Sequence, residues 1–186
     1  MTWREREAVA LTGDSTPSSD GDIQSRRAAI ELLLSEGSWA DAIEALEVYR
    51  GRLRRVVNPT WAPYGSLLAR ALCGLGRTSE AVAAAASEVD AARQWGVPGT
   101  VGASLRTLGT ALDADGSPDC LGVLEEAAAT SAGSPARLEH AKNLMAWGSA
   151  LRRRNRPTDA REPLAQAAEL AVVCGAGPLA QRPTTS

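Results

Sequence analysis

The sequence predicts an all-α fold, a right-handed superhelix of about four antiparallel helix hairpins. Three observations predict it. An alanine recurs in one local phrase: Ala42 in EGSWADAIEAL, Ala81 in LGRTSEAVAAA and Ala160 in RNRPTDAREPL, with Leu121 of DGSPDCLGVLE holding the place between. These positions are 39, 40 and 39 residues apart, and a fixed period of this size marks a stack of one supersecondary unit. The apolar residues follow a period near 3.6, as in Leu68, Leu72, Leu75 and Leu105, Leu108, Leu112. The chain has no Phe and only 4% aromatic residues, and it is rich in Ala and Leu, which favour helix over strand.

The elements follow in order. Residues 1–22 read as a tail: a helix-compatible piece over 3–11, then a Ser/Pro/Asp/Gly linker over 12–22 too polar to order itself. Residues 23–182 form the repeat domain, and 183–186 are a disordered end. The first hairpin joins helices over 25–35 and 39–53. Gly37 suits a left-handed C-terminal cap and Ser38 an N-cap. The second joins 63–75 to 78–95 at Gly76, and Gly96 and Pro98 close it. The third joins 99–114 to 118–131 at Asp115-Gly116. The fourth joins 135–154 to 157–174 at Asn155, with Ser134-Pro135 as an N-cap followed by Pro at the first helical position. Gly175 ends it, and 177–182 begin what reads as another helix. Short connections make consecutive helices antiparallel neighbours. Small residues allow close approach, which is the reason for Gly148 and Ala160, with Leu144, Trp147, Leu151, Leu164 and Ala167 filling the space around them.

Charge and composition exclude several classes. The net charge of -2 gives no reason to expect direct nucleic-acid binding. No apolar stretch approaches the roughly 18 residues of a membrane helix. The N-terminus lacks the apolar core of a secretory signal. Cys73, Cys120 and Cys174 are odd in number and far apart, which reads as reduced packing cysteines of a cytoplasmic protein.

The pattern Leu144, Trp147-Gly148, Leu151, Ala160, Leu164, Ala167 resembles the tetratricopeptide (TPR) consensus. The second unit matches in part (Leu68-Ala69, Leu72, Leu75-Gly76, Ala81), while the third departs in its second helix. The consensus repeat is about 34 residues long, and the present period exceeds it by about one and a half helical turns. A further resemblance covers residues 36–180. Phrases such as RGRLRRVVNPTWAPYGSLLARALCGLGRTSEAV, EVDAARQWGVPGTVGASLRTLGT and GSPARLEHAKNLMAWGSALRRRNRPTDAREPL resemble the TPR-like region of large, MalT-type, ATP-binding LuxR-family regulators of actinobacteria. In that family the repeats are thought to receive a ligand or partner and to gate an ATPase. Here no GxxxxGK[ST] loop is present and no helix-turn-helix follows Arg182. The resemblance therefore implies a free-standing or truncated sensor-like segment without those activities.

Catalytic chemistry finds little support. His140 is the single histidine, no GxSxG elbow exists, and beside Glu139 and Lys142 it reads as an ordinary helix-surface residue. One His and three scattered Cys give no metal-ligand spacing, and no cofactor is implied. Glu125-Glu126 and Glu36/Asp41 read as solvated faces. Residues 99–102 (GTVG) read as a helix start, since no strand precedes them. The basic cluster Arg152-Arg153-Arg154 with Arg156 complements a helix C-terminus.

One pattern points to binding. In such a stack the first helix of each pair lines the concave surface. The exposed stripe of those helices carries Arg27 and Glu31, Ser66 and Arg70, Arg106 and Thr110, then Met145, Ser149 and Arg152. Arginine recurs once per layer and binds carboxylate or phosphate bidentately. The expected ligand-binding set is Arg27, Arg70, Arg106, Ser149 and Arg152; the other reading is a solvated helix face. The expected function is a non-catalytic module that binds a protein, a peptide or a small acidic ligand. The alternatives are a regulator remnant without a role of its own, or a biosynthetic-pathway component with an unrecognised site. At the C-terminal edge Leu164, Leu170, Val172 and Val173 form a face expected to pair two copies as a homodimer.

Overall fold

The computed structural model of the chain describes residues 20–53 and 58–176. Among them are eight helices and no strand: α1 (Asp20–Glu36), α2 (Trp39–Leu53), α3 (Tyr64–Gly74), α4 (Thr78–Trp95), α5 (Pro98–Ala114), α6 (Cys120–Ser131), α7 (Arg137–Arg153) and α8 (Arg161–Val173). They pair as four hairpins. The expected helices over 3–11 and 177–182 lie outside the described residues.

Every hairpin turn is made the same way. Gly37, Gly76, Gly116 and Asn155 have positive φ, at spacings of 39, 40 and 39 residues. The residue after each donates its backbone N–H to a leucine carbonyl five positions back: Ser38 to Leu33, Arg77 to Leu72, Ser117 to Leu112 and Arg156 to Leu151. This is the Schellman closure, which satisfies a carbonyl the helix leaves open. The left-handed turn position selects glycine for want of a Cβ, and in the fourth hairpin Asn155 takes it at φ 57° because asparagine tolerates that region best of the side-chain-bearing residues.

The helix starts differ from expectation. α1 begins at Asp20, before the supposed linker ends, because Asp22 pairs with Arg26 one turn on and Ile23 is buried. α7 begins at Arg137 rather than at Pro135. Ser134 Oγ accepts the Ala136 N–H at 3.2 Å in a local turn instead of capping the helix. α6 and α8 likewise start after turns that contain Pro118 and Pro157.

The period is right, but one anchor shifts by a residue. Ala42, Ala81, Cys120 and Ala160 are all fully buried, whereas Leu121 is half-buried. A Cβ on Gly109 would meet Leu124 and the Cys120 carbonyl; one on Gly148 would meet Leu164 and the Ala160 carbonyl. Cys120 therefore stands where Ala160 stands, and its small side chain fits the close helix contact that Leu121 would overfill. Around these contacts the core runs through the stack. Ile30, Leu46, Tyr49 and Leu67 form its first part; Leu144 and Ala167, with Trp147 packed against them, form its last.

Neighbouring hairpins meet chiefly where the second helix of one packs on the first helix of the next, α2 on α3, α4 on α5 and α6 on α7; their first helices also meet, α1 on α3, α3 on α5 and α5 on α7, and draw the stack together on that side. A stack closer on one side curves toward it, so α1, α3, α5 and α7 line the concave surface.

Candidate binding groove

The concave surface is a groove of about 1620 Å³. It is lined by all nine residues of the exposed stripe: Arg27, Glu31, Ser66, Arg70, Arg106, Thr110, Met145, Ser149 and Arg152. The helical stripe of each first helix thus falls on one continuous surface. Lys142 and Arg153 add two cations and Glu139 a carboxylate. Lys142 lies one turn before Met145 on the same face of α7, a signal present in the helical period. Val97 and Leu138 are exposed apolar residues on its lining, near the N-terminal ends of α5 and α7.

The arginines differ in what they hold. Arg27 donates to the carbonyls of Thr60 and Trp61 at 3.4 and 3.3 Å. Arg70 donates to Glu31 of the preceding hairpin at 2.6 Å. Arg106 donates to Asn143 Oδ1 at 2.6 Å and pairs with Glu139 at 2.9 Å, both on the next first helix. Two of the expected ligand-binding arginines therefore also tie one layer to another. Arg152 is exposed and has no ion-pair partner among the described residues, and Ser149 is half-buried beside it on α7.

Behind Arg106 lies a buried polar network. Asn143 is fully buried; its amide donates to the Ala127 carbonyl and to Ser131 Oγ at 3.1 and 2.9 Å. Gly102 admits this amide, since a Cβ there would overlap it. Ser131 in turn shares a hydrogen bond of 3.0 Å with His140 Nδ1. Burial lowers the His140 pKa, partly opposed by a backbone hydrogen bond at Ala128. His140 is thus a half-buried packing partner of the α6–α7 contact. Burial pushes the Glu139 carboxyl up, but Arg106 and Lys142 outweigh it and hold the net value below the ordinary range.

The basic cluster at the end of α7 is mostly consumed within the fold. Arg153 and Arg154 both pair with Asp113 of α5, at 2.6 and 3.2 Å, and Arg156 pairs with Asp159. On the other side of the stack Arg93 reaches Glu126 at 2.8 Å. Cys73, Cys120 and Cys174 are free thiols, and among the described residues no group of His, Cys, Asp and Glu is placed to hold a metal. No described helix is long and apolar enough to cross a membrane.

No family model and no curated protein matches the sequence. Solved structures do match the fold. The crystal structure of a variant of a kinesin light chain-like protein of Podosopora anserina, with nearly identical TPR-like repeats, superposes with a TM-score of 0.64 at 19% identity, over 91% of this chain and 85% of that one. A second structure of that protein gives 0.60 at 20% identity, over 95% and 84%. At such identities the likeness concerns the fold: the chain is an all-α solenoid of TPR-like repeats.

Proposed function

We propose that the chain is a non-catalytic binding module whose concave groove takes an acidic segment of a partner protein or peptide. One observation carries this reading. Six basic side chains and two carboxylates line the groove; with Arg153 paired to Asp113, five cations stand against two carboxylates, a surplus of three positive charges in a chain whose net charge is -2. Positive charge gathered in a cleft attracts and orients an anionic partner. The groove's volume exceeds the about 300–1,000 Å³ of common small-molecule sites, which favours a peptide over a metabolite. TPR-like solenoids use such concave surfaces for extended partners. On the sequence phrases quoted above we read the chain as a cytoplasmic relative of the sensor repeats of LuxR-family regulators.

The test is fluorescence anisotropy with a labelled hexaglutamate peptide. Arg152→Ala should weaken binding several-fold and leave the melting temperature unchanged, and affinity should fall with salt as exposed charges are screened. Equal affinity for hexaglutamate and for an uncharged peptide would overturn the reading.

A second reading concerns the C-terminal edge. Val172 and Val173 of α8 are 67% and 68% exposed, and this pair favours self-association of two copies.

A further inference from the structure

We propose that Glu31 is a built-in competitor for the groove's ligand: its carboxylate occupies Arg70 in the free protein, and an acidic partner gains Arg70 by displacing it. This rests on the groove reading above and assigns Arg70 as the exchangeable contact.

The two carboxylates of the groove are held very differently. Glu139 is gripped by Arg106 at 2.9 Å and by Lys142 at 2.7 Å. Arg106 is also anchored to the fully buried Asn143. Releasing Glu139 would leave a half-buried guanidinium and disturb a buried network, so that pair is structural. Glu31 and Arg70 form a lone pair on the groove surface. Their side chains are 40% and 43% exposed, and among the described residues neither has another partner. Only Nη1 of Arg70 is engaged, by one oxygen of Glu31. A guanidinium offers a two-pronged edge to a carboxylate, and here half of it is unused.

An exposed pair of this kind contributes little to stability, so water or a ligand carboxylate can open it cheaply. Once Glu31 swings away, Arg70 can receive a ligand carboxylate on both prongs. Arg27, one helical turn before Glu31 on α1, is held by the Thr60 and Trp61 carbonyls and stays in place beside it. The free protein thus carries a surrogate for its ligand, which sets the affinity threshold of the groove.

The test is the affinity of the full chain for labelled hexaglutamate in four variants. Glu31→Gln should bind about two- to fivefold more tightly than the parent, the range an exposed pair supports, with an unchanged melting temperature. Arg70→Gln should bind more weakly, and adding Glu31→Gln to it should give little further gain. Glu126→Gln removes the same charge from the Arg93 pair outside the groove and should not change affinity by a comparable factor. Tighter binding by Glu126→Gln as well, or an equal gain from Glu31→Gln with and without Arg70, would reduce the effect to net charge and overturn the competitor role. Parent binding with no gain in Glu31→Gln overturns the competitor role alone. Absence of hexaglutamate binding in both parent and Glu31→Gln overturns the groove reading and the competitor with it.

Discussion

The carboxylate of Glu88, on α4, accepts the backbone N–H of Gly65, at the start of α3, at 2.8 Å. A helix N-terminus leaves its first N–H groups without intrahelical partners, and here a side chain from the neighbouring helix supplies the acceptor. Gly65 permits it, because a Cβ would collide with Glu88 and with the Ala84 carbonyl. Glu88 is 7% exposed, and its second oxygen has no hydrogen-bond partner among the described residues. Burial pushes its pKa up, and the N–H groups of Gly65 and Ser66 offset part of that rise.

A pH effect follows with a definite sign. With its folded pKa above its unfolded value, Glu88 contributes stability below the unfolded value and loses it as pH rises through the raised one. Glu88→Gln keeps an acceptor for Gly65 and removes the charge, so it should raise the melting temperature at neutral pH and flatten this limb. Glu88→Ala strands the Gly65 donor and should cost about 1–3 kcal/mol. Thermal melts across the weakly acidic range check both; a Gln variant less stable than the parent at pH 7 would contradict the burial penalty.

Asp113 titrates with the opposite sign. Burial raises its pKa, but Arg153 and Arg154 outweigh it and the net displacement is downward. Its stabilisation is therefore present above the unfolded pKa and lost as pH falls through the depressed folded value. Asp113→Asn should flatten the acid limb of stability, leaving neutral-pH melting lower than the parent. An unchanged acid limb in that variant would show that the α5–α7 ion pairs carry no stability.

The last hairpin tests the close-packing rule. The Leu164 side chain occupies the space a Cβ on Gly148 would need. Gly148→Leu should destabilise by about 1–3 kcal/mol through overpacking. Trp147 is partly buried against Leu144 and Ala167, so Trp147→Ala should cost about 3 kcal/mol, the lower end for a large-to-small core change. Urea unfolding measures both.

The exposed pair Val172 and Val173 tests self-association. Sedimentation at micromolar concentration should show a dimer for the parent chain and a monomer for Val172→Lys/Val173→Lys, with unchanged helix content. A parent chain that is monomeric throughout would discard the homodimer.

Sequence alone determined the repeat. Helix, turn and buried small residue are local properties, written in the 3.6 spacing, in Gly37, Gly76, Gly116 and Asn155, and in the recurring alanine. The groove stripe from Arg27 to Arg152 was legible for the same reason: a helix face follows from spacing, and stacking equal units aligns the faces. Partnership was not legible. Glu31 with Arg70, Arg106 with Asn143 and Glu88 with Gly65 are 39, 37 and 23 residues apart, and no local pattern tells which carboxylate a given arginine or amide will meet. The same holds for the exchange of Leu121 for Cys120 as the third anchor. A one-residue register rotates a side chain by about 100° around the helix, and only the facing Gly109 of α5, against which the Cys120 backbone and Leu124 one turn on are packed, decides which of the two points inward. Tertiary packing thus turned a row of arginines into a set of unequal ones: two tied to a neighbouring layer, one holding backbone carbonyls, and Arg152 left open.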